Sequence, residues 1–251
     1  MKLNYKKMGS GPALIVLHGL FGMLDNWQSI GRELSKDFEV WLVDQRNHGR
    51  SPHRDQHNYD AMADDLEAFI EEHALEGVVV IGHSMGGKTA MRLAQKSPEL
   101  LLGIIVVDMG IKEYPIHHDT IVEALKDVPV ESIDSRSEAE DYLAQNISEA
   151  GVRQFLLKNL HRKQDGGYEW RFNLKVLERE MNQIVDALPK EKVEIPVLFI
   201  RGKNSDYISD SDIPNLQELF VNSKIETLDT GHWVHAEKPK EVIRQIRSFI
   251  G

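Results

Sequence analysis

Residues 78–89 read VVVIGHSMGGKT, and two incompatible chemistries fit them. From Gly82 to Gly86 the stretch is G-x-S-x-G, the turn that lifts a serine nucleophile above a sheet. From Gly82 to Thr89 it is G-x-x-x-x-G-K-T, the loop that cradles phosphates. Both expect a buried strand before and a helix after, so local context does not separate them. Frequency by itself favours the phosphate loop: with Gly and Ser near 7% each, the shorter pattern occurs by chance in roughly one chain in ten of this length, and the longer one is rarer. The run Ile104–Asp108, IIVVD, even imitates the apolar strand and Asp that hold Mg²⁺ in NTPases. A Mg²⁺-dependent NTPase is therefore one alternative to a serine enzyme, and a ligand-binding or signalling protein on an enzyme scaffold is another.

The surroundings of this stretch define the fold class. Short apolar runs recur at 13–17, 40–43, 78–81, 104–107 and 197–200, too short for helices and mostly β-branched, as strands buried on both faces are. Helical stripes lie between and after them: Met62, Leu66, Phe69 and Ile70, then Val242, Ile243, Ile246, Phe249 and Ile250. Such alternation predicts an α/β fold with a mostly parallel central sheet flanked by helices. From Ile111 to Val193 no strand is legible, only polar stretches and stripes such as Leu174, Leu177, Met181, Ile184, Val185 and Leu188. A loop of that length is implausible. The segment 111–193 is read as a helical cap inserted after the strand ending at Asp108, into a core formed by 1–110 and 194–251. The charged stretch Asp134–Asp141 is read as a solvated helix start.

Composition narrows the function classes. The 251 residues carry 30 Lys+Arg against 40 Asp+Glu, a formal charge of −10, which repels nucleic acid and anionic membrane surfaces. The absence of cysteine removes disulfides, thiolate zinc sites and a thiol nucleophile. Lys6 and Lys7 before Ala13–Leu17 imitate a signal peptide, but the apolar run is short and lacks a cleavage motif. No stretch approaches the roughly 20 apolar residues of a membrane span. The expectation is a soluble, cytoplasmic protein without stable membrane association.

Two further sites weigh against the phosphate loop. His18-Gly19-Leu20-Phe21-Gly22 follows the first long strand, where a serine hydrolase needs a glycine-bearing turn with an N–H aimed at a developing oxyanion. Thr230-Gly231-His232-Trp233 follows the predicted strand 224–228 and offers an imidazole base for Ser84. Neither segment serves a nucleotide hydrolase. Leu20, Ser84, Asp108, Ser205 and His232 all fall beyond carboxyl ends of strands, where ligand sites of open α/β sheets lie.

The combination HGLFG at 18–22, VDQRNHGRS at 43–51, GHSMGGK at 82–88, VVD at 106–108, GKNSDYIS at 202–209 and GHWVHAEKP at 231–239 resembles the α/β-hydrolase superfamily and, within it, the YbfF-like esterases. The likeness extends over almost the whole chain, including QFLLK at 154–158 and WRFN at 170–173. It implies an α/β-hydrolase fold, a carboxylic ester hydrolase (esterase or thioesterase) and small-molecule substrates of the carboxylester or acyl-CoA class.

An imidazole base needs an acid on its other nitrogen. The position most α/β hydrolases use, three residues beyond Gly202, holds Ser205. Asp206 is one residue further, and Asp229 lies close to the end of its strand. Asp108 is preferred. The resemblance implies this displaced arrangement, with Ser205 left at the usual acid position and supporting the Asp108–His232 pair. The expected machinery is then Ser84 as nucleophile, His232 as base, Asp108 as acid, and the N–H groups of Leu20 and Met85 as oxyanion hole, with no cofactor. Asp44 is read as structural, in a polar turn with Arg46, Asn47, His48 and Ser51. His18 is read as a brace of the oxyanion loop, and His235 as packing beneath the histidine loop. The adjacent His117 and His118 make a poor ligand pair, so no metal is expected. Phe155, Leu156, Trp170 and Met181 are candidates to line an acyl channel, and Lys158, Arg162 and Arg171 to meet a CoA phosphate.

Overall fold

The computed structural model describes residues 1–115, 119–164 and 166–251. Among them the strands are, in chain order, β1 (Tyr5–Met8), β2 (Ala13–Leu17), β3 (Glu39–Val43), β4 (Val78–His83), β5 (Leu101–Val107), β6 (Leu160–Arg162), β7 (Tyr168–Trp170), β8 (Val197–Gly202) and β9 (Ser223–Leu228). The helices are α1 (Gln28–Leu34), α2 (Tyr59–Glu72), α3 (Met85–Lys96), α4 (Asp119–Asp127), α5 (Arg136–Ala144), α6 (Ala150–Leu157), α7 (Leu174–Arg179), α8 (Met181–Val185), α9 (Ile213–Leu219), α10 (Val234–Glu237) and α11 (Pro239–Ile250).

Seven strands form one sheet in the order β1-β3-β2-β4-β5-β8-β9. β1 runs antiparallel to β3, and every other neighbouring pair is parallel. The period of two along each strand divides the core. Leu14, Val16, Val79, Ile81, Ile105, Val107, Leu198 and Ile200 pack with Ile30 and Leu34 of α1 and with Val242, Ile243 and Ile246 of α11. Ile15, Leu17, Val80, Ile104, Val106 and Phe199 face the other way, onto α2, α3 and the segment between β5 and β8. β4 is buried at all six positions, which is why it reads as an unbroken apolar run rather than an alternating one.

One expectation needs correction, and two details were not legible in the sequence. β1 was not foreseen, because two of its four residues are lysines; it is an edge strand, and Lys6 and Lys7 are exposed there, where charge discourages edge-to-edge pairing. The segment 111–193 is not purely helical: β6 and β7 make an antiparallel hairpin that pairs Leu160 with Trp170. Three-residue strands are too short to show a period. The stripe Leu174–Leu188 is two short helices, α7 and α8, broken at Glu180. The charged stretch does start a helix: Ser135 caps α5, its side chain accepting from the Glu138 N–H. Among the described residues, no helix is long and apolar enough to cross a membrane.

Candidate active site

The quoted stretch folds as an elbow. β4 ends at His83 and α3 begins at Met85, so Ser84 alone makes the turn, with φ 52° and ψ −119°. A positive φ costs a non-glycine residue of order 1–3 kcal/mol and is kept where the surroundings enforce it. Here the Ser84 N–H donates to the Val107 carbonyl at 3.1 Å, while the Ser84 carbonyl accepts from the Gly87 and Lys88 N–H groups. The turn also demands two glycines. A Cβ on Gly82 would lie 2.1 Å from the Gly86 carbonyl oxygen, and one on Gly86 would lie 2.7 Å from that of His18.

This geometry leaves no loop for phosphates, because Gly86 and Gly87 are already helical. Lys88 is fully buried beneath the segment between β5 and β8. Its Nζ donates to the Val185 carbonyl at 3.3 Å and to that of Asp186, and it faces the rings of Tyr59 and Tyr114. Burial pushes its amine down to about 8, against the pull of Asp186 and Glu113. Thr89 Oγ1 donates to Gln45 Oε1 at 2.8 Å. Both residues that completed the phosphate motif are spent on packing.

Asp108 follows β5 at φ 51° and is fully buried. Its Oδ1 accepts from the Gly202 N–H at 2.8 Å. Its Oδ2 accepts from His232 Nδ1–H at 2.8 Å and from the Ser205 hydroxyl at 2.5 Å. Three donors on one buried carboxylate hold it in place. Ser205 is itself oriented, since its Oγ accepts from the Tyr207 N–H at 3.3 Å. Asp206 and Asp229 are exposed, and Asp229 accepts from Asn204 Nδ2. The residue expected to replace the usual acid therefore meets the one expected to support it.

His232 is held on further sides by residues the sequence reading did not single out. The Tyr207 ring stacks on the imidazole, centroids 3.8 Å apart. Tyr114 donates its hydroxyl to the Tyr207 carbonyl at 2.8 Å while accepting from the Gly110 N–H at 2.8 Å. His83 Nε2–H donates to the His232 carbonyl at 3.0 Å. Tyr207 stands two residues beyond Ser205, so an aromatic in the acid loop was the available signal; nothing local marks Tyr114.

The loop of His18–Gly22 is braced as expected. His18 Nε2 accepts from the Gln45 N–H at 3.0 Å, so its Nδ1 carries the proton and donates to the Gly19 carbonyl at 2.8 Å. His48 Nε2 accepts from the Phe21 N–H at 3.1 Å, and Asn159 Nδ2 donates to the Phe21 carbonyl at 2.8 Å. Burial drives His18 and His48 below the usual histidine range, and both serve the loop as neutral rings. Asp44 accepts from the Leu24 and Arg50 N–H groups and from Asn4, a structural turn network. His235 stacks on Trp27 at 4.4 Å. His117 and His118 lie outside the described residues.

Leu20, Ser84, His232, Phe155 and Leu156 line one cavity of about 60 Å³. Met85, buried, opens α3 immediately after Ser84. Trp170 and Met181 are elsewhere: Trp170 donates to the Leu125 carbonyl and stacks on Phe172, and Met181 is core. Lys158 borders a neighbouring groove, whereas Arg171 sits beside the β6–β7 hairpin with His53 and His161.

A family model for the alpha/beta hydrolase fold matches residues 12–136. Esterase YbfF of Escherichia coli (strain K12) is 36% identical, covering 100% of this chain and 99% of that protein. The sn-1-specific diacylglycerol lipase ABHD11 of Xenopus laevis is 38% identical over 96% of this chain and 80% of its own. Among solved structures, a marine microorganism esterase superposes with a TM-score of 0.96 at 43% identity over 99% of both chains. Similarity of this extent, running essentially end to end, means that the chain belongs to the α/β-hydrolase family, among the YbfF-like esterases.

Proposed function

We propose that this hydrolase cleaves carboxylic esters, and acyl-CoA thioesters by the same route, through an acyl-enzyme on Ser84. The observation that carries the reading is the Asp108–His232 hydrogen bond at 2.8 Å, beside a serine on a one-residue elbow in the same cavity. Residues 1–110 and 194–251 act as the core, and 111–193 as a cap over Ser84.

In the mechanism, Ser84 Oγ attacks the acyl carbon as its proton passes to His232 Nε2. Asp108 keeps Nδ1 protonated and stabilises the imidazolium. The N–H groups of Leu20 and Met85 receive the carbonyl oxygen as it becomes negative; one such donor is typically worth ~10²–10³ in rate. Collapse breaks the acyl carbon–leaving-group bond. The departing alcohol takes the proton from His232; where the sulfur leaves as thiolate, the imidazolium gives that proton to solvent instead, and in both cases His232 is neutral again. Water then attacks the acyl-enzyme, gives a proton to His232, and that proton returns to Ser84 as the acid is released.

The test is a fluorophosphonate, with the modified residue located by mass spectrometry. A single adduct on Ser84, absent in Ser84→Ala, with loss of ester hydrolysis in that variant, is the expected result. Hydrolysis that persists in Ser84→Ala would sink the reading.

A further inference from the structure

The cavity at Ser84 holds little. At about 60 Å³, and with ~10–15 Å³ needed per water-sized group, it takes roughly four to six such groups: an ester and a short chain. Immediately beside it is a groove of about 500 Å³, within the ~300–1,000 Å³ usual for small-molecule sites. The two share Val152, Phe155 and Trp233. The Phe155 and Trp233 rings meet at 4.4 Å between centroids, tilted by 60°, and this pair is the partition. Beyond it the groove runs between Gly151 and Val152 on α6 and Ala236 on α10.

Resting on the reading of Ser84 as nucleophile, we propose that this groove binds the alkyl arm on the alcohol side of the ester, entering past a gate formed by Phe155 and Trp233. The side follows from proton transfer. The leaving oxygen must reach His232 to be protonated, so its substituent points toward the histidine loop. Trp233 is the next residue on that loop, its ring 6.0 Å from the imidazole, and the groove opens directly behind it along His235, Ala236 and Glu237. The acyl arm departs on the other side of the attacked carbon. An apolar chain in the groove is removed from water, each further CH₂ adding to the gain, which makes alcohol length a determinant of KM.

Gly151 supplies a clean test, because a Cβ built there meets no atom within 4 Å. Gly151→Phe adds a ring at the groove wall, where the backbone leaves room for a side chain, and is expected to obstruct the groove; circular dichroism checks that the variant is folded. The kcat/KM for octyl acetate, ethyl acetate and ethyl octanoate are measured for the wild type, Gly151→Phe and Phe155→Ala, alongside fluorophosphonate labelling of Ser84. The expected result is that the octyl acetate to ethyl acetate ratio falls at least tenfold in Gly151→Phe, through KM, while the ethyl octanoate to ethyl acetate ratio moves less than twofold. Phe155→Ala, which opens the gate, raises the first ratio. An unchanged octyl acetate ratio in an enzyme whose Ser84 is labelled overturns the groove assignment alone. An equal or larger fall for ethyl octanoate overturns the choice of the alcohol side. Absence of labelling and of ethyl acetate hydrolysis in the wild type overturns the Ser84 reading, and the groove assignment with it.

Discussion

Asp108 and His232 stand 124 positions apart in the chain and meet at 2.8 Å, with the Ser205 hydroxyl on the same carboxylate oxygen. The carboxylate that meets His232 thus comes from the end of the strand beside β4, while the loop after β8 contributes a hydroxyl. With Gly202 N–H on its other oxygen, the Asp108 carboxylate is held on three sides and its position relative to the His232 ring is fixed.

Asp108→Asn is expected to lower kcat by about 10³–10⁴, because an amide holds the wrong tautomer and does not stabilise the imidazolium. Asp206→Asn, at an exposed side chain, is expected to change kcat less than twofold. Steady-state ester hydrolysis measures both, with circular dichroism to establish that the variants are folded; the reverse pattern would move the acid to Asp206.

Gly82→Ala is expected to destabilise the fold by about 3 kcal/mol or more, at the upper end of overpacking costs. The added carbon would sit 2.1 Å from the Gly86 carbonyl oxygen and 2.6 Å from the Gly87 nitrogen, backbone atoms with no flexible side chain to yield. Urea denaturation compares the variant with wild type, and a loss below 1 kcal/mol would show that the elbow relaxes.

Lys88 makes alkaline stability informative. Its folded value of about 8 lies below the 10.5 of an ordinary lysine, so between those values the unfolded chain binds more protons and folding strengthens as pH rises. The cost of burying the charge is fully present below pH 8. Relative to Lys88→Met, the wild type is expected to gain about 3 kcal/mol from pH 7.5 to 10.5. Parallel unfolding curves at both pH values would show that the amine is not held down.

At the acid end the buried histidines dominate. His57 and His235 are pushed to about 3 from 6.5 by burial, and His83 well below the usual range. Each is neutral in the fold and takes a proton on unfolding, so its contribution is whole above pH 6.5 and is lost as pH falls toward 3. At pH 5.5 each of His57 and His235 is expected to cost about 1.4 kcal/mol. His235→Phe, which keeps the stack on Trp27, should shallow the slope of stability against pH between 6.5 and 4. A slope equal to wild type would show that His235 is not neutral in the fold.

Much of this protein was legible in the chain itself, because its signals are local. The buried strands β4 and β5 read as apolar runs since both faces are covered. Gly82, Ser84 and Gly86 read as an elbow since a one-residue strand-to-helix turn tolerates no Cβ at its flanks. The loops at 18–22 and 230–233 were legible because each follows a recognisable strand, and their order is that of one fold. What remained open depended on side chains distant in sequence. Whether Lys88 and Thr89 meet phosphate or protein was decided by Val185, Asp186 and Gln45. Asp108, rather than Asp206, reaches His232 because β5 and β8 are adjacent and Asp206 points to solvent. The stack of Tyr207 on His232, its anchor Tyr114, and the Phe155–Trp233 partition have no local pattern at all. They arise where α6 and the loops after β5, β8 and β9 converge over Ser84, and only packing in three dimensions brings those surfaces together.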